Sequence, residues 1–314
     1  MLILLFSAVL IVAYANGANA NFKGVASLFG SGTASYRTAV LWAAVTTAAG
    51  CVAATLLTGA MLKAFSGKGL VPDDLAAQPA FLASVAAAAG LAGMLATRLG
   101  FPVSTTHMLT GALLGAGWMT GDVHAGKLWE SFVKPLLLSP VLAVAAGAGV
   151  YLALKKLRLA PDHRTRALDA LHFLSAGAVC FARGLNDTPK MAALLAVIGW
   201  LQGGAGMMLI AAAMALGGLI SARQVAETLA HKITGMNPGQ GFAANLATAV
   251  LVTTASLHAL PVSTTHVSVG ALLGIGITTR QAKWRTALPV LAAWVVTLPV
   301  SALLAALIFR LLSP

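Results

Sequence analysis

The chain has 314 residues, 59% of them hydrophobic and 9% charged, with a mean hydropathy of +0.88 and a formal net charge of +12. That composition excludes an ordinary soluble domain and implies an all-α, polytopic membrane protein, because several apolar runs approach the ~20 residues that cross a hydrocarbon core. The positive charge does not point to nucleic acid, since the basic residues are scattered between apolar runs and do not gather on one face with aromatic neighbours.

Residues 1–20, MLILLFSAVLIVAYANGANA, imitate a signal peptide in that small residues around Ala13 and Ala15 follow a short apolar run. No basic n-region precedes the run, however, and its continuation has a counterpart later in the chain, so a retained first span is expected. That continuation, Ala-Asn-Gly-Ala-Asn-Ala-Asn-Phe-Lys at 15–23, should interrupt the first span with Gly and Asn. Cys51 and Cys180 each lie inside an apolar stretch and are read as packing residues, with neither a disulfide framework nor a zinc site. An acidic loop carries Asp73 and Asp74 before the next apolar span.

The segment FPVSTTHMLTGALLGAG at 101–117 returns as LPVSTTHVSVGALLGIG at 260–276, with 12 of 17 positions identical. The 15–23 element likewise returns as Ala-Arg-Gly-Leu-Asn-Asp-Thr-Pro-Lys at 182–190, matching Gly17 with Gly184, Asn19 with Asn186 and Lys23 with Lys190. Pro140 and Pro299 fall in equivalent places in the last span of each half. The chain is therefore divided into a first repeat at 1–154, a basic linker at 155–166 and a second repeat at 167–314. The linker, KKLRLAPDHRTR, is the most basic loop and is expected to be cytoplasmic. Counting outward predicts about five passages per half, about ten in all, with both termini extracytoplasmic. An odd number per half makes the repeat inverted. The PVSTTH elements are short for full crossings and read as re-entrant-like.

Pro102 and Pro261 stop an arriving helix, and the Ser-Thr-Thr after each offers caps to the helix that follows. Free amides and a partial positive charge at such an end favour an oxyanion, with hydroxyls from Ser104, Thr105, Thr106, Ser263, Thr264 and Thr265 around it. Capping alone is the plainer reading of one such motif; its duplication favours the shared anion site. His107 and His266 close the two motifs, and each alone reads more readily as structural than as ligand- or proton-binding. Lys23, Arg183, Asp187 and Lys190 lie within membrane spans, where an unpaired charge costs on the order of 3 kcal/mol or more. Asp187 is spaced for ion pairs with Arg183 and Lys190, leaving a net excess of two positive charges that a dianion would neutralise.

Together, the paired Gly-Ala-Asn-Asp-like and PVSTTH elements resemble the inorganic phosphate transporter family of cation-coupled permeases, over both halves of the chain. The resemblance implies an inverted-repeat transporter of phosphate or, in some members, sulfate, coupled to sodium or protons and without an organic cofactor. It implies that the helix ends and the six Ser/Thr hydroxyls above hold the anion; from the residues themselves, Asn19, Asn186, Lys23 and Lys190 are added as candidate substrate contacts, and Asp187, Arg183, His107 and His266 as a candidate coupling and charge network. In the first copy, Gly17-Ala18-Asn19-Ala20-Asn21-Phe22-Lys23, Ala20 replaces the family's Asp, and Lys23 and Lys190 replace its second Asn. Fixed ammonium groups at these positions favour protons over sodium as the coupling ion. The expected surroundings are the plasma or inner membrane, with lipid, an inorganic oxyanion and a homodimer as the partners considered. A sulfate-selective permease and a passive anion channel are the alternatives. An intramembrane enzyme built on Ser104 or Ser263 is disfavoured, because no carboxylate orients the nearby His and no Gly-x-Ser-x-Gly occurs.

Overall fold

Charged side chains are buried alongside an apolar core while many large apolar side chains face outward, unlike a soluble protein: Arg183 and Lys190 are among the largest fully buried side chains, whereas Leu56 is 84% and Leu303 73% exposed. This is a computed structural model describing residues 1–57, 59–121, 123–158, 165–202 and 204–313. Half of the basic linker, residues 159–164, lies outside the described residues.

The first half runs α1 (Leu2–Ala20), a 3₁₀ turn (Asn21–Lys23), α2 (Ala26–Gly30), α3 (Tyr36–Leu57), α4 (Gly59–Ala64), α5 (Asp73–Ala76), α6 (Pro79–Arg98), α7 (Thr105–Trp118), α8 (Ala125–Leu128) and α9 (Lys134–Lys156). The second half runs α10 (Arg166–Ala192), α11 (Gly204–Ser221), α12 (Arg223–Glu227), α13 (Pro238–Leu257), α14 (Thr264–Thr278) and α15 (Trp284–Leu312). Among the described residues, seven helical segments are long and apolar enough to cross a membrane: Leu2–Lys23, Tyr36–Leu57, Pro79–Arg98, Ala125–Lys156, Arg166–Leu195, Gly204–Ser221 and Trp284–Leu312.

Local chemistry explains the boundaries. Pro79 and Pro238 each open a helix, where a missing N–H costs nothing, and Asn237 with Gln240 forms a capping box at the second. Before the PVSTTH elements, the chain turns through left-handed residues at Gly100 (φ +74°) and Ala259 (φ +54°). The serines then cap: Ser104 Oγ accepts from His107 N and Ser263 Oγ from His266 N, each at 3.1 Å.

The first-span interruption falls within the expected element in the first copy and beyond it in the second. α1 continues through Gly17 to Ala20 before tightening to 3₁₀ at Asn21, and α10 continues through 182–190, with Pro189 inside it, tightening only at Ala193–Leu195. Small residues do not break a helix whose polar groups are satisfied by neighbours, which is the situation here.

The halves interlock. α7 packs against α15 and α14 against α9, while α1 packs against α11 and α10 against α3. Glycines permit the contacts: a Cβ on Gly115 would lie 1.9 Å from Ala302 O, and one on the equivalent Gly274 2.1 Å from Val144 O. The same holds for Gly17 against Met214 O at 1.9 Å and Gly184 against Thr47 O at 2.3 Å. Small residues on one face let helix backbones approach closely, which is how helices without a hydrophobic driving force associate in lipid. Both large apolar clusters draw residues from each half.

Candidate functional site

The two PVSTTH elements meet, and they meet reciprocally. Thr106 Oγ1 donates to Val262 O at 3.0 Å, and Thr265 Oγ1 donates to Val103 O at 2.6 Å. Each carbonyl belongs to the residue just before the opposite copy's capping serine. The N-termini of α7 and α14 are thus joined, and the first amides of each helix lack intrahelical partners by geometry. Ser104, Thr105, Thr106, Ser263, Thr264 and Thr265 are all buried.

The lysines bind the same two carbonyls. Lys23 Nζ donates to Val103 O at 3.3 Å and Lys190 Nζ to Val262 O at 3.1 Å. Lys190 also donates to Thr106 Oγ1 at 2.9 Å, to Asp187 Oδ1 at 3.1 Å and to Asn186 Oδ1, with the Phe65 ring 5.7 Å away. Arg183 reaches across to the first copy, donating to Asn21 Oδ1 at 3.2 Å, Thr47 Oγ1 at 3.3 Å and Asn16 Oδ1, while its Nε stands 3.8 Å from Asp187 Oδ2. Asn16 completes the link by donating to Asp187 Oδ2 at 3.1 Å and to Thr105 Oγ1 at 2.7 Å.

The asparagines serve as braces. Asn19 donates to Thr97 Oγ1 at 3.1 Å and Phe101 O at 2.9 Å and accepts from Val103 N at 2.9 Å, so it fixes the turn into the first PVSTTH element. Asn186 repeats one of these contacts in the second copy, donating to Ser256 Oγ at 2.9 Å, while its amide oxygen accepts from Lys190. With both amide hydrogens committed, Asn19 positions the site and has no donor left for a ligand.

The histidines pair with each other. The rings of His107 and His266 form an edge-to-face contact at 4.6 Å, and His266 stacks on Trp294 at 4.1 Å and contacts Leu136 O through Nδ1 at 3.2 Å. Trp294 Nε1 in turn donates to Pro102 O at 3.1 Å. The pair therefore joins α7, α9, α14 and α15 at the first turns of α7 and α14.

The structure places the selected serines, threonines, asparagines, lysines and histidines on the elements around the joined N-termini of α7 and α14, and it adds Asn16, Asn21, Thr47, Thr97 and Ser256, which the sequence did not single out. Only Asn16 had a usable signal: aligning 15–23 with 182–190 places it opposite Arg183, the residue it contacts. Thr47, Thr97 and Ser256 sit in apolar helices where only packing reveals which threonines face the site.

The electrostatics are one-sided. Lys23, Arg183 and Lys190 are buried, and Asp187 is the sole buried carboxylate among the described residues, a net excess of two positive charges. Among those residues no group of three or more His, Cys, Asp or Glu converges for a metal ion.

A multi-pass helical bundle that buries cationic groups beside two joined helix N-termini has the features of a membrane anion site. The chain belongs to the phosphate transporter family, whose model matches residues 16–305. It is 31% identical to a probable low-affinity inorganic phosphate transporter of Rhizobium meliloti over 229 residues, covering 67% of each chain. A protein of the same description from Bacillus subtilis is 30% identical over 68% of this chain and 69% of its own. The fold matches a solved structure described as the sodium-dependent phosphate transporter, with a TM-score of 0.83 at 21% identity over 99% of this chain and 98% of that one. The family and these relatives are transporters, not enzymes, and the chain is a multi-pass membrane protein.

Proposed function

We propose that this protein is a secondary transporter that imports inorganic phosphate across the plasma membrane by alternating access. The carrying observation is the buried excess of two positive charges beside the joined N-termini of α7 and α14. In low dielectric such an excess is costly unless an anion neutralises it, and a dianion balances it. Phosphate contacts would come from the first amides of both helices, from the Thr105 and Thr264 hydroxyls and from Lys23, because Thr106 and Thr265 give their single hydroxyl hydrogens to Val262 O and Val103 O. The 3₁₀ turn bearing Lys23 packs against α14, whose Thr264 hydroxyl makes no hydrogen bond among the described residues.

The architecture in this reading is an inverted repeat of about ten passages, with α7, α13 and α14 joining the seven longer segments and both termini extracytoplasmic. The interlocked pairing of equivalent helices supports it, since a two-fold relation generates each contact twice. Coupling is to protons over sodium, because resident cations stand in the site. Sulfate is the second substrate, favoured by the same net charge, since it is a dianion across the physiological range. Counterflow of labelled phosphate and sulfate in proteoliposomes, with sodium and pH gradients imposed separately, tests the whole reading. Uptake of neither anion overturns it, and uptake only with an inward sodium gradient overturns the coupling.

A further inference from the structure

The two lysines hold equivalent sequence positions in unlike surroundings. Around Lys190 Nζ stand a carboxylate oxygen of Asp187 at 3.1 Å, the backbone carbonyl of Val262 at 3.1 Å, the Thr106 hydroxyl at 2.9 Å and the amide oxygen of Asn186. A carboxylate, a carbonyl, a hydroxyl and an amide oxygen are the ligands that hard metal cations take from proteins. An ammonium has three donors, so four oxygens converge on a group that cannot give each of them a hydrogen bond of its own. Positive charge at that point, more than directed bonding, organises the cage.

A simple ion pair explains the arrangement less well. Asp187 alone would satisfy Lys190 in such a pair, yet three neutral oxygens from α10, α7 and the segment before α14 also turn toward it. Lys23 makes the contrast, with Val103 O as its one hydrogen-bond acceptor among the described residues, and Ala20 at the position corresponding to Asp187.

We propose that Lys190 is a tethered cation: its ammonium fills an oxygen cage suited to a small monovalent metal ion, and by doing so it determines which cation the site uses. The inference rests on the reading of the chain as an oxyanion carrier, and it predicts that the wild-type site draws no alkali ion from solution. Removing the Lys190 side chain leaves the oxygens of Asp187, Asn186, Thr106 and Val262 without a positive charge, and so creates a site for an alkali cation.

The test is thermal unfolding of the purified full-length protein in choline chloride against equal concentrations of lithium, sodium or potassium chloride, without phosphate, for wild type, Lys23→Ala and Lys190→Ala. The midpoint of Lys190→Ala should rise saturably with one alkali cation, whereas wild type and Lys23→Ala respond alike to all four salts. In a parallel titration, phosphate affinity of Lys190→Ala should fall about tenfold or more in choline and recover in the same cation, while Lys23→Ala stays weak in every salt. Recovery of folded Lys190→Ala only from buffers containing that cation also supports the proposal. Unfolding in all salts, the absence of any selective response, or equal rescue of both variants overturns it. If wild type binds no phosphate the carrier reading fails, and the salt response without phosphate still decides the role of Lys190.

Discussion

The two copies of the first-span element are equivalent in sequence position and unequal in chemistry. In the second copy, Asp187 and Asn186 hold Lys190, and Arg183 reaches three residues of the other half. In the first copy Ala20 and Asn16 stand where Asp187 and Arg183 do, and Lys23 is left with a single carbonyl. The PVSTTH elements show a milder form of the same inequality: Thr105 accepts from Asn16, whereas its equivalent Thr264 makes no such contact among the described residues. The charge network thus gathers on the second copy of the first-span element and on the first PVSTTH element, whereas Lys23 of the first copy and Thr264 of the second are the less engaged cation and hydroxyl among the described residues. Symmetry of sequence therefore does not license symmetry of role.

The largest effect expected from breaking this comparison is that of Asp187→Asn. It removes the carboxylate that compensates Lys190 and Arg183, and loss of one partner from a buried charge network costs about 3–5 kcal/mol. A fall of several degrees or more in the unfolding midpoint checks it; an unchanged midpoint would show that the neutral oxygens suffice. Ala20→Asp is the converse experiment, giving Lys23 the partner it lacks and lowering phosphate affinity by about tenfold or more in a binding titration.

The hydroxyls sharpen the contrast at smaller scale. Thr105→Val and Thr264→Val should each weaken phosphate binding by roughly 1–3 kcal/mol, since each leaves a desolvated charged oxygen short of a donor. Only Thr105→Val should also lower stability, because it strips an acceptor from Asn16. Calorimetric titration with parallel melting curves separates the two, and equal affinity for wild type and both variants would return these threonines to a capping role.

The smallest effect concerns the turns before the two motifs. Gly100 adopts φ +74° without steric cost, whereas Ala259 at φ +54° carries a Cβ in the left-handed region, which costs about 1–2 kcal/mol. Ala259→Gly should accordingly raise stability by up to about 1 kcal/mol, and Gly100→Ala should lower it by a similar amount, since a Cβ there has room and only the backbone is strained. Chemical denaturation in detergent measures both.

Much of this was legible in the chain itself. Apolar length predicts the spans, the repeated FPVSTTH and LPVSTTH segments predict two matched helix starts, and the spacing of Arg183, Asp187 and Lys190 predicts their ion pairs, because each depends on local geometry with a fixed period. Tertiary structure decided the rest. Whether α10 breaks at Pro189 depends on neighbours that satisfy its polar groups, and it does not break there. That Thr106 reaches Val262 O, that Asn19 braces a turn instead of facing a ligand, and that Thr47, Thr97 and Ser256 belong to the site are contacts between distant segments. The unequal surroundings of Lys23 and Lys190 belong to the same class: the sequence shows the missing acid at Ala20, but which oxygens gather around each ammonium is set by how the two halves interlock. Sequence records which charges the membrane must bury, and only packing determines which of them are already paired.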